Sequence, residues 1–405
     1  MSSSSRLMLV GGADVHHRIP FVREMTKAGF KVAVAGSGGG PMFRDAGISF
    51  FPYRLERGIA PWADLQTRTE LIRLMDSWRP SIVHGFDTKP SYLVPLAARR
   101  TKVPLALRTI TGMGFVFSSH GLQARGLRPI YRALHRRAAR AAAWTVFQNQ
   151  DDQDEFLAHG MADPSRCSLI PGSGVDFAKL EAEAEAGPEP EQMRRELKIG
   201  PGPVILMVAR LVRHKGVIQY LQAAKLVRRR RQDAVFLLVG PLSSEGRQAV
   251  SKRTLLAYRD HVRWLGPRSD VPSLIKLARL VVLPSFYREG VPRVLLEAAA
   301  LGKALVATDM PGCRDVVQEG VTGRLVPPRT VAPLAAALAE LLDQPQVVDR
   351  MGEAARKHVR GSFSLRAVAA GYADLYQRLL AGGGLRPNCG GAGVRNSFAA
   401  TGAAP

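Results

Sequence analysis

Apolar positions along this chain fall in short unbroken runs, and the segments between them repeat with helical spacing. The first runs are RLMLVGG (6–12), FKVAVAG (30–36), SIVHGF (81–86), PLALRTIT (104–111), WTVFQN (144–149) and CSLIPG (167–172). Stretches such as WADLQTRTELIRLMDSWR (62–79) separate them. A second series follows: PVILMVAR (203–210), AVFLLVG (234–240), HVRWLG (261–266), LVVLPS (280–285), KALVATD (303–309) and GRLVPP (323–328). Strands that are apolar throughout and alternate with helices belong to parallel sheets covered on both faces. The pattern predicts an α/β protein of two doubly wound, Rossmann-like domains. Ligands of such folds bind beyond the carboxyl ends of the strands, here in the cleft between the two domains.

Breaks in the pattern place the boundaries. The first domain spans 1–175. The stretch 176–199, rich in Glu, Pro and Gly, reads as a linker with a short helix. The second domain spans 200–362, and an amphipathic segment covers 363–380. The Gly- and Ala-rich tail 381–405 is expected to be disordered.

Composition sharpens this picture in three places. No apolar run escapes interruption by Arg or Lys for the ~18 residues that a bilayer-spanning helix needs, and the N-terminus has no leader-like apolar core. Three widely spaced cysteines, Cys167, Cys313 and Cys389, form neither a metal pattern nor a disulfide framework. The chain is therefore expected in a reducing cytoplasm. The formal charge of +23 is spread out: residues 1–175 carry 23 Lys+Arg against 13 Asp+Glu, and the remainder 34 against 21. Clusters remain at 122–140, with six arginines and no acid, and at 225–232. They fit an anionic partner or simple solubility equally well.

The chemistry concentrates in SFYREGVPRVLLEAAALGKALV (285–306), where Glu289 precedes a helix start and Glu297 follows inside the helix. Pro292 and Gly302 bracket a helix of about three turns. The amides near Gly290, Val291 and Arg293 are then expected to be unpaired and turned to the cleft, where they would favour a phosphate. Two glutamates flanking such a site suit hydroxyls on both sides of a diphosphate, which is the layout of a nucleotide sugar. MVARLVRHKGV supplies cations: Arg210 at a strand end, Lys215 at the next helix start, and Arg213 between them.

Arg210 and Lys215, Gly240 at a strand end, Glu289 with Glu297, and the strand GKALVATDMPG (302–312) together resemble retaining glycosyltransferase family 4, of the GT-B fold. The resemblance covers about residues 6–380. It implies that Arg210 and Lys215 hold the donor diphosphate. Glu289 would accept donor-sugar hydroxyls beside the Gly290 and Val291 amides, and Glu297 would accept the ribose hydroxyls. It also implies that 363–380 returns to the N-terminal domain, and that no metal or cofactor is required. The loops VHGFDTKPS (83–91) and LRTITGMGFVFSS (107–119) resemble a subgroup that adds sugars to polyprenyl-diphosphate-linked acceptors in capsule, O-antigen and protein-glycan assembly. Many family members carry His where this chain has Thr111, so the backbone of Thr111 and Gly112 is the expected donor contact here.

In the N-terminal half, Gly11 and Gly12 end the first strand, where glycine permits close backbone approach. His16, His17 and Arg18 follow; they serve either as helix caps and solvated charge or as acceptor contacts, with Arg18 near a phosphate. AGSGGGP (35–41) is expected to be a loop without the helix that a phosphate loop needs. The acids of NQDDQDEF (149–156) are expected to cap a helix rather than hold a metal. The segment 122–140 reads as a core helix, or as one whose Arg132, Arg136 and Arg137 meet anionic lipid at the inner face of the membrane. The implied reaction moves a hexose or N-acetylhexosamine from a UDP-sugar to a lipid-linked saccharide, with no nucleic-acid partner. An epimerase of the same fold and a basic nucleic-acid-binding protein are the alternatives. A nicotinamide dehydrogenase lacks its GxGxxG fingerprint.

Overall fold

A computed structural model describes residues 4–56, 58, 60–118, 121–242 and 246–382. Two parallel sheets organise it. The first contains β1 (Arg6–Gly11), β2 (Lys31–Gly36), β3 (Ser49–Pro52), β4 (Ile82–Gly85), β5 (Leu105–Ile110), β6 (Trp144–Phe147) and β7 (Cys167–Leu169). Their order across the sheet is β3-β2-β1-β4-β5-β6-β7. The second contains β8 (Val204–Val208), β9 (Val235–Val239), β10 (Arg263–Trp264), β11 (Leu280–Leu283), β12 (Ala304–Thr308) and β13 (Gly323–Val326), ordered β10-β9-β8-β11-β12-β13. In both sheets the order reverses beside the first strand, which makes a crevice at the carboxyl edge there.

The unbroken apolar runs become strands because both faces are buried. In β1, Leu7 and Leu9 point into one core with Phe21 and Tyr372, while Met8 and Val10 point into another with Val83 and Leu93. In β8, Leu206 faces one core and Ile205 and Met207 face the other. One strand escaped the sequence pattern. β3 is a four-residue edge strand with partly exposed side chains, so its apolar signal is weak.

The stretch after β7 is not a free linker. It forms the helices Phe177–Ala186 and Pro190–Glu196, whose Leu180 and Met193 belong to the C-terminal core. Nor is 35–41 only a loop: a helix, Gly40–Asp45, begins inside it and carries Pro41 in its first turn. The last helix, Leu365–Leu380, crosses back and buries Leu365, Val368, Ala369, Tyr372 and Tyr376 in the N-terminal core. There Tyr376 Oη lies 2.6 Å from Nδ1 of buried His84. The two crossings between domains also bridge each other, with Val175 N donating to Phe363 O and Leu365 N to Val175 O. Of the tail 381–405, only Ala381 and Gly382 are among the described residues. No helix of the described residues is long and apolar enough to cross a membrane.

Candidate functional site

A cleft of about 1580 Å³ opens between the carboxyl edges of the two sheets. Its C-terminal side carries Arg210, His214, Tyr287, Arg293 and Glu297; its N-terminal side carries Gly12, His17, Arg18, Asp87, Thr111 and Gly112. Of the sequence-nominated residues, Gly12, His17, Arg18, Thr111, Gly112, Arg210 and Glu297 line it.

Glu297 lies on the helix Arg293–Ala300, which is eight residues long rather than three turns, with Pro292 as its cap. Its carboxylate is 18 % exposed and accepts from Arg293 Nε, one turn back, at 2.6 Å. Glu289 is held differently. Lys215 Nζ donates to its Oε2 at 2.6 Å and Ser285 Oγ to its Oε1 at 2.8 Å. Glu289 and Lys215 are 14 % and 17 % exposed and stand just behind the cleft wall. Lys215 ends a short 3₁₀ turn, Arg213–Lys215, that follows β8. His214, in the same turn, is nearly buried, and its ring is tilted against Tyr287 at 4.7 Å between centroids. Burial first, then the positive charges of Lys215 and Arg210, depress its pKa to about 4. A neutral imidazole therefore lines the cleft at pH 7. Arg213 points to solvent.

The expectations for Gly290, Gly11 and Gly240 need correction. The Gly290 amide is not offered to a ligand: it donates to the Thr111 carbonyl of the other domain at 2.9 Å. The Val291 side chain packs in the C-terminal core, which leaves the expectation for its amide standing. Gly11 and Gly240 serve the scaffold. Gly11 O accepts from Tyr53 Oη at 2.7 Å. A Cβ on Gly240 would sit 1.9 Å from Ala209 O, so only glycine lets β9 end beside the strand that leads to Arg210.

On the N-terminal side His16 and His17 part company. Their rings are tilted at 42° with centroids 4.2 Å apart, but His16 packs against Gly39 while His17 lines the cleft. Burial, then His16, then Arg293 across the cleft, lower the His17 pKa. Arg18 lies over the Phe86 ring at 3.8 Å and 3.9 Å from Asp87. Asp87 accepts from Gly12 N at 3.0 Å and has a left-handed backbone, φ 71°. Such a conformation in a residue other than glycine costs ~1–3 kcal/mol and persists where the surroundings enforce it.

The acids of 149–156 hold the domains together. Asn149 caps the helix Gln150–Ala158 by accepting from Asp152 N, and its Nδ2 donates to Gly290 O at 2.9 Å. Buried Asp152 accepts from Arg288 at 3.0 Å, and Asp151 pairs with Arg314. Burial raises Asp152 to about 6, against the pull of Arg288 and Asn149. Arg288→Ala should cost ~3–5 kcal/mol at pH 8, because it strands a buried carboxylate. Lowering the pH below about 6 protonates that carboxylate, which then needs no cation, so the loss should shrink. Thermal unfolding of both chains at pH 8 and pH 5 checks this; an equal loss at both would count against it. Among the described residues, no group of three or more His, Cys, Asp or Glu is placed to hold a metal ion.

The helix Leu122–Ala141 does not offer its three nominated arginines as one face. Arg132 approaches Glu155 at 4.0 Å and Arg136 donates to His159 O, so both engage the neighbouring helix and the turn after it. Arg137 is exposed. Sequence reasoning passed over Ser285, His214, Asp87 and Asn149. Each is an ordinary polar residue until the fold aims it at Glu289, the cleft or the other domain.

Residues 188–358 match the family model "Glycosyl transferases group 1", and residues 20–172 match "Glycosyl transferase 4-like domain". An alpha-D-kanosaminyltransferase of Streptomyces kanamyceticus is 30% identical over 289 residues, covering 70% of this chain and 73% of that one. The chain belongs to glycosyltransferase family 4. Two further relatives of this family 4 enzyme act on lipid-linked sugars by their names. One is the N,N'-diacetylbacillosaminyl-diphospho-undecaprenol alpha-1,3-N-acetylgalactosaminyltransferase of Campylobacter jejuni, 25% identical over 91% of this chain and 97% of its own. The other is the UDP-Gal:alpha-D-GlcNAc-diphosphoundecaprenol alpha-1,3-galactosyltransferase of Escherichia coli, 26% identical over 82% and 84%. In fold, the family 4 enzyme is similar to sucrose-phosphate synthase from Thermosynechococcus elongatus, with a TM-score of 0.76 and 20% identity over 93% and 100% of the two chains. Both are GT-B structures.

Proposed function

We propose that this glycosyltransferase moves a hexose or N-acetylhexosamine from a UDP-sugar to a polyprenyl-diphosphate-linked saccharide, with the anomeric configuration retained. It works at the cytoplasmic face of the membrane, in the assembly of a surface polysaccharide or glycan. The observation that carries this reading is the placement of Arg210 and Glu297 on one wall of a cleft, opposite Gly12, His17, Arg18 and Thr111, with the Lys215–Glu289 pair behind that wall. The two lipid-linked relatives support the acceptor class, and the Escherichia coli one supports a UDP-linked donor.

In this reading Glu297 accepts the ribose hydroxyls, while Arg210 and Lys215 face the diphosphate. Glu289, oriented by Ser285, accepts hydroxyls of the transferred sugar. The acceptor hydroxyl attacks the anomeric carbon from the face that the diphosphate leaves. The C–O bond to the diphosphate breaks as the new one forms, and the departing phosphate oxygen takes the acceptor proton. The fixed cations supply the electrostatic stabilisation of the leaving group, so the reaction needs no protein-held metal. Turnover should stay within about two-fold in EDTA, because a lost metal would cost far more.

The deciding experiment is a panel of UDP-sugars with a short polyprenyl-diphosphate-sugar acceptor, with product mass read by mass spectrometry and anomeric configuration by NMR. Conversion of donor alone into an isomeric UDP-sugar would instead favour an epimerase. The two glutamates separate the donor contacts. Glu297→Ala should weaken UDP itself by about one to two powers of ten, since a hydrogen bond to a charged group is worth ~1.5–3 kcal/mol. Glu289→Ala should lower turnover while UDP binding changes much less, because UDP lacks the transferred sugar. Equal effects on UDP would refute these two roles.

A further inference from the structure

The cleft does not end at the N-terminal strand edge. It continues over the helix Pro90–Ala98, whose Tyr92, Leu93 and Leu96 form a floor. The helix Pro61–Trp78 supplies one wall through Leu65. The helix Leu122–Ala141 supplies the other through Leu127, Ile130 and Leu134, a stripe at helical spacing. The floor helix packs against both wall helices, so the trough is a fixed feature of the domain.

Its chemistry is mixed. The same cavity is also lined by the cations Arg18, Arg68 and Lys89. Lys89 is paired with Asp64 at 2.5 Å, and Tyr92 Oη donates to the same carboxylate. The Nε of Arg68 is buried without a hydrogen-bond partner among the described residues. The rest of the lining between the three helices is aliphatic and aromatic. Of its walls, Leu65 is 47% and Ile130 58% exposed, and Trp62, one turn before Leu65, is 82% exposed. Single exposed hydrophobics are ordinary, but several rimming one apolar trough mark a ligand or a membrane.

We infer that this trough holds the polyprenyl chain of the acceptor. This inference rests on the lipid-linked acceptor proposed above. The combination is the argument: one continuous cavity joins donor-side residues, cations, an apolar lining and exposed hydrophobics. An acceptor with a saccharide, a diphosphate and a prenyl tail presents the matching combination. A free saccharide would find no polar partners along Leu93, Leu96 and Leu127. A peptide would find helices whose backbone groups are already paired. The diphosphate meets Arg18 and Arg68, the first isoprene units lie along the floor, and the chain leaves between Leu65 and Ile130 into the bilayer.

The test is equilibrium binding of farnesyl diphosphate and of inorganic diphosphate to the full chain, without detergent and with UDP saturating the donor side. The prenylated ligand should bind at least about ten-fold more tightly, because each buried methylene adds ~0.8 kcal/mol. The double variant Leu65→Glu, Ile130→Glu should lose that preference and keep its UDP affinity. Both positions are exposed, and an unchanged thermal unfolding transition reports that the variant has folded. Equal affinity of the two diphosphates for the unaltered chain, or a preference that survives the double change, overturns the inference. If the variant loses anionic vesicles but keeps the farnesyl preference, these walls serve the bilayer surface and the trough assignment falls. Because the readout is binding, a chain that prefers farnesyl diphosphate yet transfers no sugar contradicts only the transfer reading.

Discussion

On the proposed roles, Lys215→Ala is expected to lower kcat/KM by about 10²–10³, the loss that follows removal of one preorganised group facing a charge that develops in the transition state. Two effects combine. The leaving diphosphate loses a fixed positive charge. Glu289, 14 % exposed, loses its 2.6 Å partner and keeps only Ser285. Breaking a buried pair by removing one member costs ~3–5 kcal/mol, since the other charge is left uncompensated. The variant should therefore also unfold at lower temperature. Lys215→Met combined with Glu289→Gln separates the effects: it removes both charges, so stability should recover while turnover stays low. Recovery of turnover together with stability would show that neither charge acts in the reaction. Unchanged turnover in Lys215→Ala would remove the residue from the site altogether.

Gly112→Ala is expected to lower turnover by at least about 10², with UDP affinity nearly unchanged, because ~1 Å of misplacement between reacting groups costs that much. Gly112 has φ 120°, a conformation that alanine adopts only with strain. An added Cβ would lie 2.6 Å from Arg288 O and 2.9 Å from Gly290 N. Those atoms belong to the other domain, beside the Gly290–Thr111 hydrogen bond and the Asn149 contact. The methyl group must push the domains apart at the point where donor and acceptor sides meet. The C-terminal residues that face UDP do not move relative to one another, so nucleotide binding is spared. Steady-state kinetics paired with UDP titration checks this. A fall in UDP affinity as large as the fall in turnover would mean that Gly112 contacts the nucleotide instead.

These expectations divide between what the chain spells out locally and what only folding brings together. The two doubly wound domains were legible because a parallel strand buried on both faces must be apolar along its whole length, as in RLMLVGG and LVVLPS. The short edge strand SFFP was not, since half of its surface meets solvent and its pattern blurs. Glu289 and Glu297 stood out because their spacing around one helix start is a local property, and Arg210 and Lys215 because they follow one strand. The partners of these groups were not legible. Lys215 reaches Glu289 across 74 residues and Asn149 reaches Gly290 across 141. Tertiary structure alone decided that the Gly290 amide is given to Thr111, that Asp152 locks onto Arg288, and that Arg132 and Arg136 turn toward a neighbouring helix and the turn that ends it. The reason is physical: a side chain's period along a strand or helix sets which face it occupies, but the charge or backbone group it meets depends on which distant segment packs there.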